Sequence, residues 1–148
     1  MLEIKHKTYI KAKKEDVYIA LTTADGWNAW FTDDTILEIH SDGTGEILIK
    51  WKNYGSDNAT VEDGGKILKS VLNKKFVFQW SPGEGYSTVS FTLEPYKEGT
   101  LVVLHETGYS TSNRDMAACI GCAVGWGEAL TLLKVYLEHG IVYKEDLH

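Results

Sequence analysis

The 148-residue chain has no long apolar run, only two cysteines and fewer basic than acidic side chains. No apolar run approaches the roughly 20 residues needed to cross a bilayer, so we expect no membrane span. With 15 basic against 21 acidic residues the formal net charge is −6, which opposes binding to phosphates and makes nucleic acid an unfavourable partner. The N-terminal residues alternate charged and apolar side chains, unlike a signal peptide. We therefore expect a single cytoplasmic domain over residues 1–148, with reduced cysteines.

The spacing of apolar residues changes along the chain. It predicts a strand over 3–10, a short helix over 13–22 and a second short helix over 23–31, with Thr23 as its N-terminal cap. Further runs of period two follow, and the short turns between them favour an antiparallel meander. These predicted strands cover residues 35–40, 45–52, 65–72, 75–81, 87–95 and 99–107.

The predicted strands share one apolar and aromatic face. Alternation places on that face Ile47, Ile49, Trp51, Phe76, Phe78, Trp80, Val89, Phe91, Leu93, Leu101, Val103 and His105. Such a face needs a cover, and a long closing helix can provide it. Ser112 followed by Asp115 is typical of a capping box, and Gly140 is typical of a helix end, so we predict this helix over 112–139.

The closing helix carries bulky residues only in its second half. One stripe is continuous, formed by Cys119, Ala123, Trp126, Leu130, Leu133 and Leu137, and a neighbouring stripe holds Ala118, Cys122, Gly125 and Ala129. Gly121, Gly125 and Gly127 each cost about 1 kcal/mol relative to alanine within a helix. The slender half either roofs a cavity walled by aromatic side chains, or packs its backbone closely while Trp51 and Trp80 fill the gap. The sequence leaves both interpretations open.

Three stretches carry a family resemblance: "IKAKKEDVYIALT" at 10–22, "STVSFTLEPYKEGTLVVLHETGY" at 87–109 and "GWGEALTLLKVYLEHG" at 125–140. They resemble the family named after the activator of the heat-shock protein 90 ATPase, in the START-like (SRPBCC) superfamily. The resemblance covers nearly the whole chain and departs from the family pattern at Tyr18, where tryptophan is usual. It implies an α+β helix-grip fold: a curved antiparallel sheet of about seven strands, two short helices and a long C-terminal helix packed across the sheet.

The Cys119–Cys122 pair is interpreted as packing. Tetrahedral zinc needs four ligands, and no second Cys or His pair has metal spacing. Cys119 lies about two turns inside the predicted helix, so it lacks the thiol activation found at helix N-termini. We expect no metal, no cofactor and no catalytic residue. His105 is predicted to face inward, either as a polar contact for a ligand or satisfied by a carbonyl, Tyr or Glu, while Glu106 is predicted to face outward.

The leading functional hypothesis is a non-catalytic domain that binds a small hydrophobic molecule, lipid-like or aromatic, between the sheet and the closing helix. Its predicted lining is Trp30, Trp51, Phe78, Trp80, His105, Cys119, Ile120, Ala123 and Trp126, although such rings also form ordinary cores. The family resemblance implies an alternative, a co-chaperone-like stimulator of the heat-shock protein 90 ATPase with a chaperone as partner. A third hypothesis, implied by catalytic START-like relatives, is an enzyme that uses His105 as a general base.

Overall fold

The computed structural model describes residues 2–54 and 59–144. All the predicted helices and strands are present, and together they form the α+β helix-grip arrangement of START-like proteins. In chain order they are β1 (Leu2–Ile10), α1 (Lys14–Thr22), α2 (Ala24–Trp30), β2 (Asp34–Ile39), β3 (Gly45–Tyr54), β4 (Ala59–Val71), β5 (Lys75–Trp80), β6 (Ser87–Tyr96), β7 (Gly99–Tyr109) and α3 (Asn113–His139).

The seven strands form one antiparallel sheet in the order β1-β7-β6-β5-β4-β3-β2. Strands β2 to β7 are therefore a meander in which neighbours in sequence are neighbours in space, as the short predicted turns indicate. Strand β1 forms the other edge of the sheet, where it pairs with β7 and Ile4 lies opposite Glu106. The helices α1 and α2, which follow β1 in the chain, join the two edges of the sheet.

The two short helices are held together by buried tryptophans. The indole nitrogen of Trp27 donates to the carbonyl of Leu21 at 2.7 Å, and that of Trp30 donates to the carbonyl of Ala20 at 2.9 Å. Both rings are essentially inaccessible to solvent. Because a buried indole N–H needs an acceptor, these bonds let α2 bury its aromatic face against the end of α1.

The predicted ends of α3 are confirmed. The Ser112 hydroxyl accepts from the backbone N–H of Asp115 at 3.1 Å, and Gly140 ends the helix with a φ of 68°. The capping box is not reciprocal, however. The Asp115 carboxylate accepts instead from the backbone N–H groups of Ser110 (2.6 Å) and Glu84 (2.8 Å), which ties two connecting loops to the first helical turn.

The long helix packs beside β1. The imidazole Nε2 of His6 lies 3.1 Å from the Ala123 carbonyl oxygen, and Lys134 donates to the Tyr9 carbonyl at 2.5 Å. An 18-residue window of α3 has a mean hydropathy of 1.5, so its length and composition would suffice to cross a membrane, contrary to our expectation from apolar runs. Here the helix covers the core of a soluble domain fold.

Strand β4 begins six residues earlier than predicted, at Ala59 instead of residue 65. Its first part carries acidic side chains and two glycines, so no apolar alternation marks it as a strand. Gly64 and Gly65 allow close approach of neighbouring backbones, since an added Cβ would lie 2.1 Å from the Ile47 carbonyl oxygen and 2.5 Å from that of Gln79. The predicted turn over 53–58 lies largely outside the described residues.

The predicted face of β7 is wrong, whereas the predicted faces of β3, β5 and β6 are confirmed. The inward residues of β7 are Thr100, Val102, Leu104 and Glu106, while Leu101, Val103 and His105 are only half-buried on the other side. Alternation defines two faces but does not say which one is inside. Both faces of β7 carry aliphatic residues, so the pattern could not decide between a buried histidine and a buried glutamate.

Candidate functional site

A cleft of about 500 Å³ lies between the first half of α3 and strands β3, β4 and β5, and it is partly open to solvent. Its lining has an aromatic part, an acidic part and a part made of small helical residues. The lining residues are Phe31, Trp51, Val61, Glu62, Asp63, Trp80, Ser81, Pro82, Ala118, Gly121, Cys122, Gly125, Trp126 and Glu128.

Two helical glycines border the empty part of the cleft. A Cβ added at Gly121 or Gly125 would meet no atom within 4 Å, whereas one added at Gly127 would lie 3.6 Å from the His6 ring. Close packing of the helix backbone therefore does not account for glycine at 121 or 125. Of the two interpretations left open by the sequence, the structure favours the open cavity at these positions.

Aromatic rings form the floor of the cleft. The centroids of Trp80 and Trp126 are 5.3 Å apart, and Phe31 meets Trp51 edge to face at 5.1 Å. These are ordinary separations for interacting aromatic pairs. Each of the three tryptophans is at least nine-tenths buried, so the rings are held in place by the core behind them.

The fully buried carboxylate of Glu106 lies behind this floor. Its Oε2 accepts from the indole N–H of Trp80 (2.7 Å), from the Tyr109 hydroxyl (2.8 Å) and, at short range, from the Ser87 hydroxyl. Its Oε1 accepts from the indole N–H of Trp126 at 2.9 Å. The two indoles can only donate, so this set of partners matches an acceptor-only carboxylate.

Glu106 thereby joins four elements of the fold. Its partners come from β5, β6, the end of β7 and α3. Two of these partners, Trp80 and Trp126, belong to the aromatic floor of the cleft. Gly108 makes this possible: it is the extra residue of a β-bulge with a φ of 116°, which turns Tyr109 back to the inner face that Glu106 occupies. The carboxylate fixes the position of the aromatic floor but does not itself line the cleft.

His105 lies on the opposite face of the sheet, which corrects its predicted place in the cavity. Its Nε2 is 2.8 Å from the Glu3 carboxylate, and its side chain is 41% exposed. That bond lowers the pKa of the Glu3 carboxyl, with a further contribution from Lys5. His105 therefore offers neither a polar contact nor a general base to the cleft.

The two cysteines are free thiols with no sign of activation. Burial raises the pKa of Cys122 to about 11 despite a hydrogen bond with Tyr109, and burial also raises the pKa of Cys119. Burial, followed by the contact with Cys122, raises the pKa of the Tyr109 hydroxyl as well. A reactive Cys-x-x-Cys pair needs the opposite shift, so the interpretation of these cysteines as packing residues agrees with their surroundings.

The mouth of the cleft is acidic. Asp63, opposite the inward Ile49, approaches from β4, and Glu128 approaches from α3, whereas Glu62 pairs with Lys50 on the outer side of the sheet. Burial raises the pKa of the Asp63 carboxyl, although its Oδ1 accepts from the backbone N–H groups of Gly64 (2.7 Å) and Ser81 (2.9 Å). None of the described lining residues is basic.

Only three of the nine predicted lining residues contribute to the cleft: Trp51, Trp80 and Trp126. Trp30 and Phe78 are fully buried in the core, and Cys119 is also buried. The half-buried Ala123 is not part of the lining, and Ile120 is 66% exposed on the outer side of α3. A one-residue step along a helix turns a side chain by about 100°, which moves position 120 away from the sheet.

Sequence reasoning missed the acidic mouth and Glu106. Asp63 lies on the part of β4 that was not recognised as a strand, so no face was assigned to it, and Glu128 lies on α3 outside the two stripes that the sequence singled out. Glu106 was assigned to the wrong face, and its four partners are scattered between residues 80 and 126 with no common spacing. The small-residue stripe was a correct signal for three of its four members, since Ala118, Cys122 and Gly125 line the cleft, whereas Ala129 is buried.

Residues 2–54 and 59–144 include no group of three or more His, Cys, Asp or Glu side chains placed to hold a metal ion.

A family profile described as "Activator of Hsp90 ATPase homolog 1-like protein" matches residues 11–138. The chain belongs to this family. The match includes both short helices, β2 to β7 and nearly all of α3, so it spans every element that lines the cleft. No curated protein matches the chain significantly.

Solved structures of this family have the same fold. The solution structure of the Aha1 dimer from Colwellia psychrerythraea is 28% identical, with a TM-score of 0.75 over 95% of this chain and 98% of that one. A Rhodobacter sphaeroides protein is 21% identical, with a TM-score of 0.76 over 92% of each chain. The AHSA1-like protein from Aeromonas hydrophila is 16% identical, with a TM-score of 0.71 over 93% of each chain. The likeness to the last two concerns the fold alone.

Proposed function

We propose that the chain binds a small hydrophobic molecule, lipid-like or aromatic, in the cleft beneath the first half of α3, and that it does so without catalysis. The observation that carries this proposal is the open space beside Gly121 and Gly125. Each glycine costs a helix about 1 kcal/mol relative to alanine. Because neither gains a packing contact within the chain, an occupant of the cleft is the natural source of a compensating contact.

The size and lining of the cleft support the same proposal. A volume of about 500 Å³ is within the range of small-molecule sites. The floor consists of the apolar rings of Trp51, Trp80 and Trp126, which are held in place by burial, and hydrogen bonds to Glu106 also fix Trp80 and Trp126. Because this aromatic floor is already ordered, its side chains lose less conformational entropy when a ligand binds.

A cleft-filling variant tests the proposal. A library of neutral polycyclic aromatics and monoacylglycerols is screened by thermal shift, and each hit is titrated by tryptophan fluorescence. Gly121→Leu places an isobutyl group in the cleft, and we expect it to weaken binding at least about tenfold, or by 1.4 kcal/mol. Ala117→Leu adds the same side chain at an exposed position one turn earlier and should leave the affinity unchanged. Equal losses in both variants, or no hit across the library, would contradict the proposal.

The proposed setting is the cytoplasm, with the small molecule rather than nucleic acid as partner. Two free cysteines in a buried environment suit a reducing compartment. The net charge of −6 opposes binding to a polyanion. Cell fractionation tests the location.

A second candidate is stimulation of the Hsp90 ATPase, which is favoured by the family description. The outer side of α3 offers a possible contact surface, since Met116, Ile120 and Val124 follow each other at four-residue spacing and are all exposed. An ATPase assay with Ile120→Glu and Gly121→Leu separates the two candidates. Chaperone stimulation should be lost in the first variant and kept in the second, and the absence of stimulation by the wild type at saturation would eliminate this candidate.

A further inference from the structure

We infer that the molecule bound in the cleft is a cation with an apolar body, such as an aromatic amine or a quaternary ammonium compound. This inference rests on the proposed function, since it assigns a charge to the occupant of the same cleft. It is carried by two features that are independent of each other: the carboxylates at the mouth, and the hydrogen bonding of the aromatic floor.

Two carboxylates face the mouth, those of Asp63 and Glu128. The third acidic lining residue, Glu62, lies on the outer side of the sheet, 3.5 Å from the ammonium of Lys50. Across the described ranges 2–54 and 59–144, neither Asp63 nor Glu128 forms an ion pair. They approach from opposite walls, so a cationic group held between them would face two uncompensated negative charges at once. The raised pKa of the Asp63 carboxyl agrees with the absence of a neighbouring cation, because burial disfavours the charged form unless a cation compensates it.

The aromatic floor is suited to a cation for a different reason. A ring attracts a cation through the electron density of its face, and tryptophan is the best of the three aromatic residues in this respect. Both Trp80 and Trp126 donate their indole N–H to the buried Glu106 carboxylate. Such a bond to an anion polarises the indole and enriches its face in electrons, so the same bonds that position the rings also strengthen their attraction for a cation.

An anionic ligand meets the opposite conditions. A fatty-acid carboxylate or a phosphate would approach the carboxylates of Asp63 and Glu128, and none of the described lining residues is basic. Like charges within a partly desolvated cleft repel, and the excess of acidic residues over the whole chain adds to that repulsion. The lipid-like class is thereby narrowed to cationic or neutral amphiphiles.

Three naphthalene probes of matched size measure the charge preference: (2-naphthylmethyl)trimethylammonium, 2-naphthalenemethanol and 2-naphthoate. Binding is followed by tryptophan fluorescence and located by NMR shifts. We expect the cation to bind about tenfold more tightly than the neutral probe, and the anion to bind more weakly than either. Raising the salt concentration to about 0.5 M should reduce the preference, because the mouth is exposed to solvent.

The variant Asp63→Asn/Glu128→Gln removes the two unpaired charges. Asparagine keeps an oxygen for the N–H groups of Gly64 and Ser81, so the local fold is preserved. We expect the affinity for the cation to fall about fivefold and the affinity for the neutral probe to stay constant. Glu94→Gln, on an exposed site of β6, controls for net charge and should change neither.

The outcomes separate this inference from the proposed function. Equal affinities for the three probes, or tighter binding of the neutral or anionic probe, would overturn the inference and leave hydrophobic binding intact. An undiminished cation preference in Asp63→Asn/Glu128→Gln would also overturn it, because these two carboxylates would then not contribute to holding the charge. If no probe shifts the tryptophan signals, the inference fails; the proposed function fails only if the neutral library also gives no hit that Gly121→Leu weakens.

Discussion

A single buried carboxylate organises the centre of this molecule. Removing an ionised group from water is costly, and a buried carboxylate persists only where hydrogen bonds replace its hydration. Glu106 obtains those bonds from four side chains on four elements. The arrangement is therefore sensitive to the loss of one acceptor, since each donor would also be left without a partner.

We expect Glu106→Gln to destabilise the fold by about 1–3 kcal/mol. Three donors converge on Oε2 and one on Oε1, so if the glutamine oxygen keeps the first three, its NH₂ group faces the N–H of Trp126. Two donors then oppose each other in the core. Urea unfolding measures the loss, and Glu94→Gln on the surface should leave the midpoint unchanged.

A double-mutant cycle tests this account of Glu106→Gln. Trp126→Phe removes the opposing N–H, so it should cost less in the glutamine background than in the wild type, with a coupling of about 1 kcal/mol. Additive effects would show that the Trp126 bond is not the source of the loss.

For single residues, the sequence indicates the chemical role of a side chain better than the face of the sheet on which it lies. The cysteines are interpreted as packing residues because the sequence does not provide the ligand spacing of a zinc site or the helix N-terminal position of an activated thiol. His105 and Glu106 were exchanged because the two faces of β7 are equally apolar, and the general cost of burying a carboxylate favours histidine inside. The four donors that reverse this preference come together only in three dimensions.

Among the elements, α3 was predicted most accurately because its signals are local. The Ser112 cap, the apolar stripe and the stop at Gly140 all depend on residues within a few turns of each other. The start of β4 depends instead on pairing with β3, where Gly64 lies opposite Leu48. A strand that is specified by its partner carries little periodicity of its own, and Asp63 at the mouth of the cleft lies on that strand.

Glycine at positions 121 and 125 should make the protein less stable than alanine would, while it leaves the space beside the helix open. We expect Gly121→Ala and Gly125→Ala each to stabilise the protein by up to about 1 kcal/mol, because alanine improves helix propensity and its Cβ meets no atom. Gly127→Ala makes one ordinary contact with His6 and serves as a matched comparison outside the cleft. Thermal unfolding measures all three. Destabilisation at 121 or 125 would mean that the space beside α3 is filled.

The start of α3 depends on Asp115. We expect Asp115→Ala to accelerate amide hydrogen exchange at Glu84 and Ser110, whose N–H groups bind its carboxylate, and to leave the end of the helix near Tyr136 unchanged. Asp25→Ala, an exposed acidic residue in the first turn of α2, should have no such effect. These bonds lower the pKa of Asp115. Their stabilisation is thus present above the unfolded pKa of about 3.9 and is lost as the pH falls through the folded value.

For the whole molecule, the sheet order could be predicted and the cleft could not. Short turns leave a meander as the natural arrangement, and the closing helix covers the large apolar face of the sheet. The cleft depends on how far α3 stands from β3, β4 and β5, which are separated from it by up to about 70 residues in the chain. At that distance the ring of Trp126 meets the ring of Trp80, with centroids 5.3 Å apart.

The titration of buried thiol and phenol groups should lower the stability of the whole fold at alkaline pH. Burial raises the pKa of Cys122 to about 11, and it also raises the pKa of Cys119 and Tyr109. An unfolded thiol ionises near about 8.5, so above this pH the unfolded state binds fewer protons than the folded state. Stability is therefore fully present below about pH 8.5 and declines as the pH rises toward the folded values.

We expect the urea midpoint of the reduced protein to fall steadily between pH 8 and 10. Cys122→Ala should show a shallower decline, since one of the titrating groups is then absent from both states. Lys74→Gln, which changes the surface charge on the turn between β4 and β5, should follow the wild-type curve. Parallel curves for Cys122→Ala and the wild type would mean that Cys122 is solvated in the folded state, and that the cleft beside it is wetter than its aromatic floor implies.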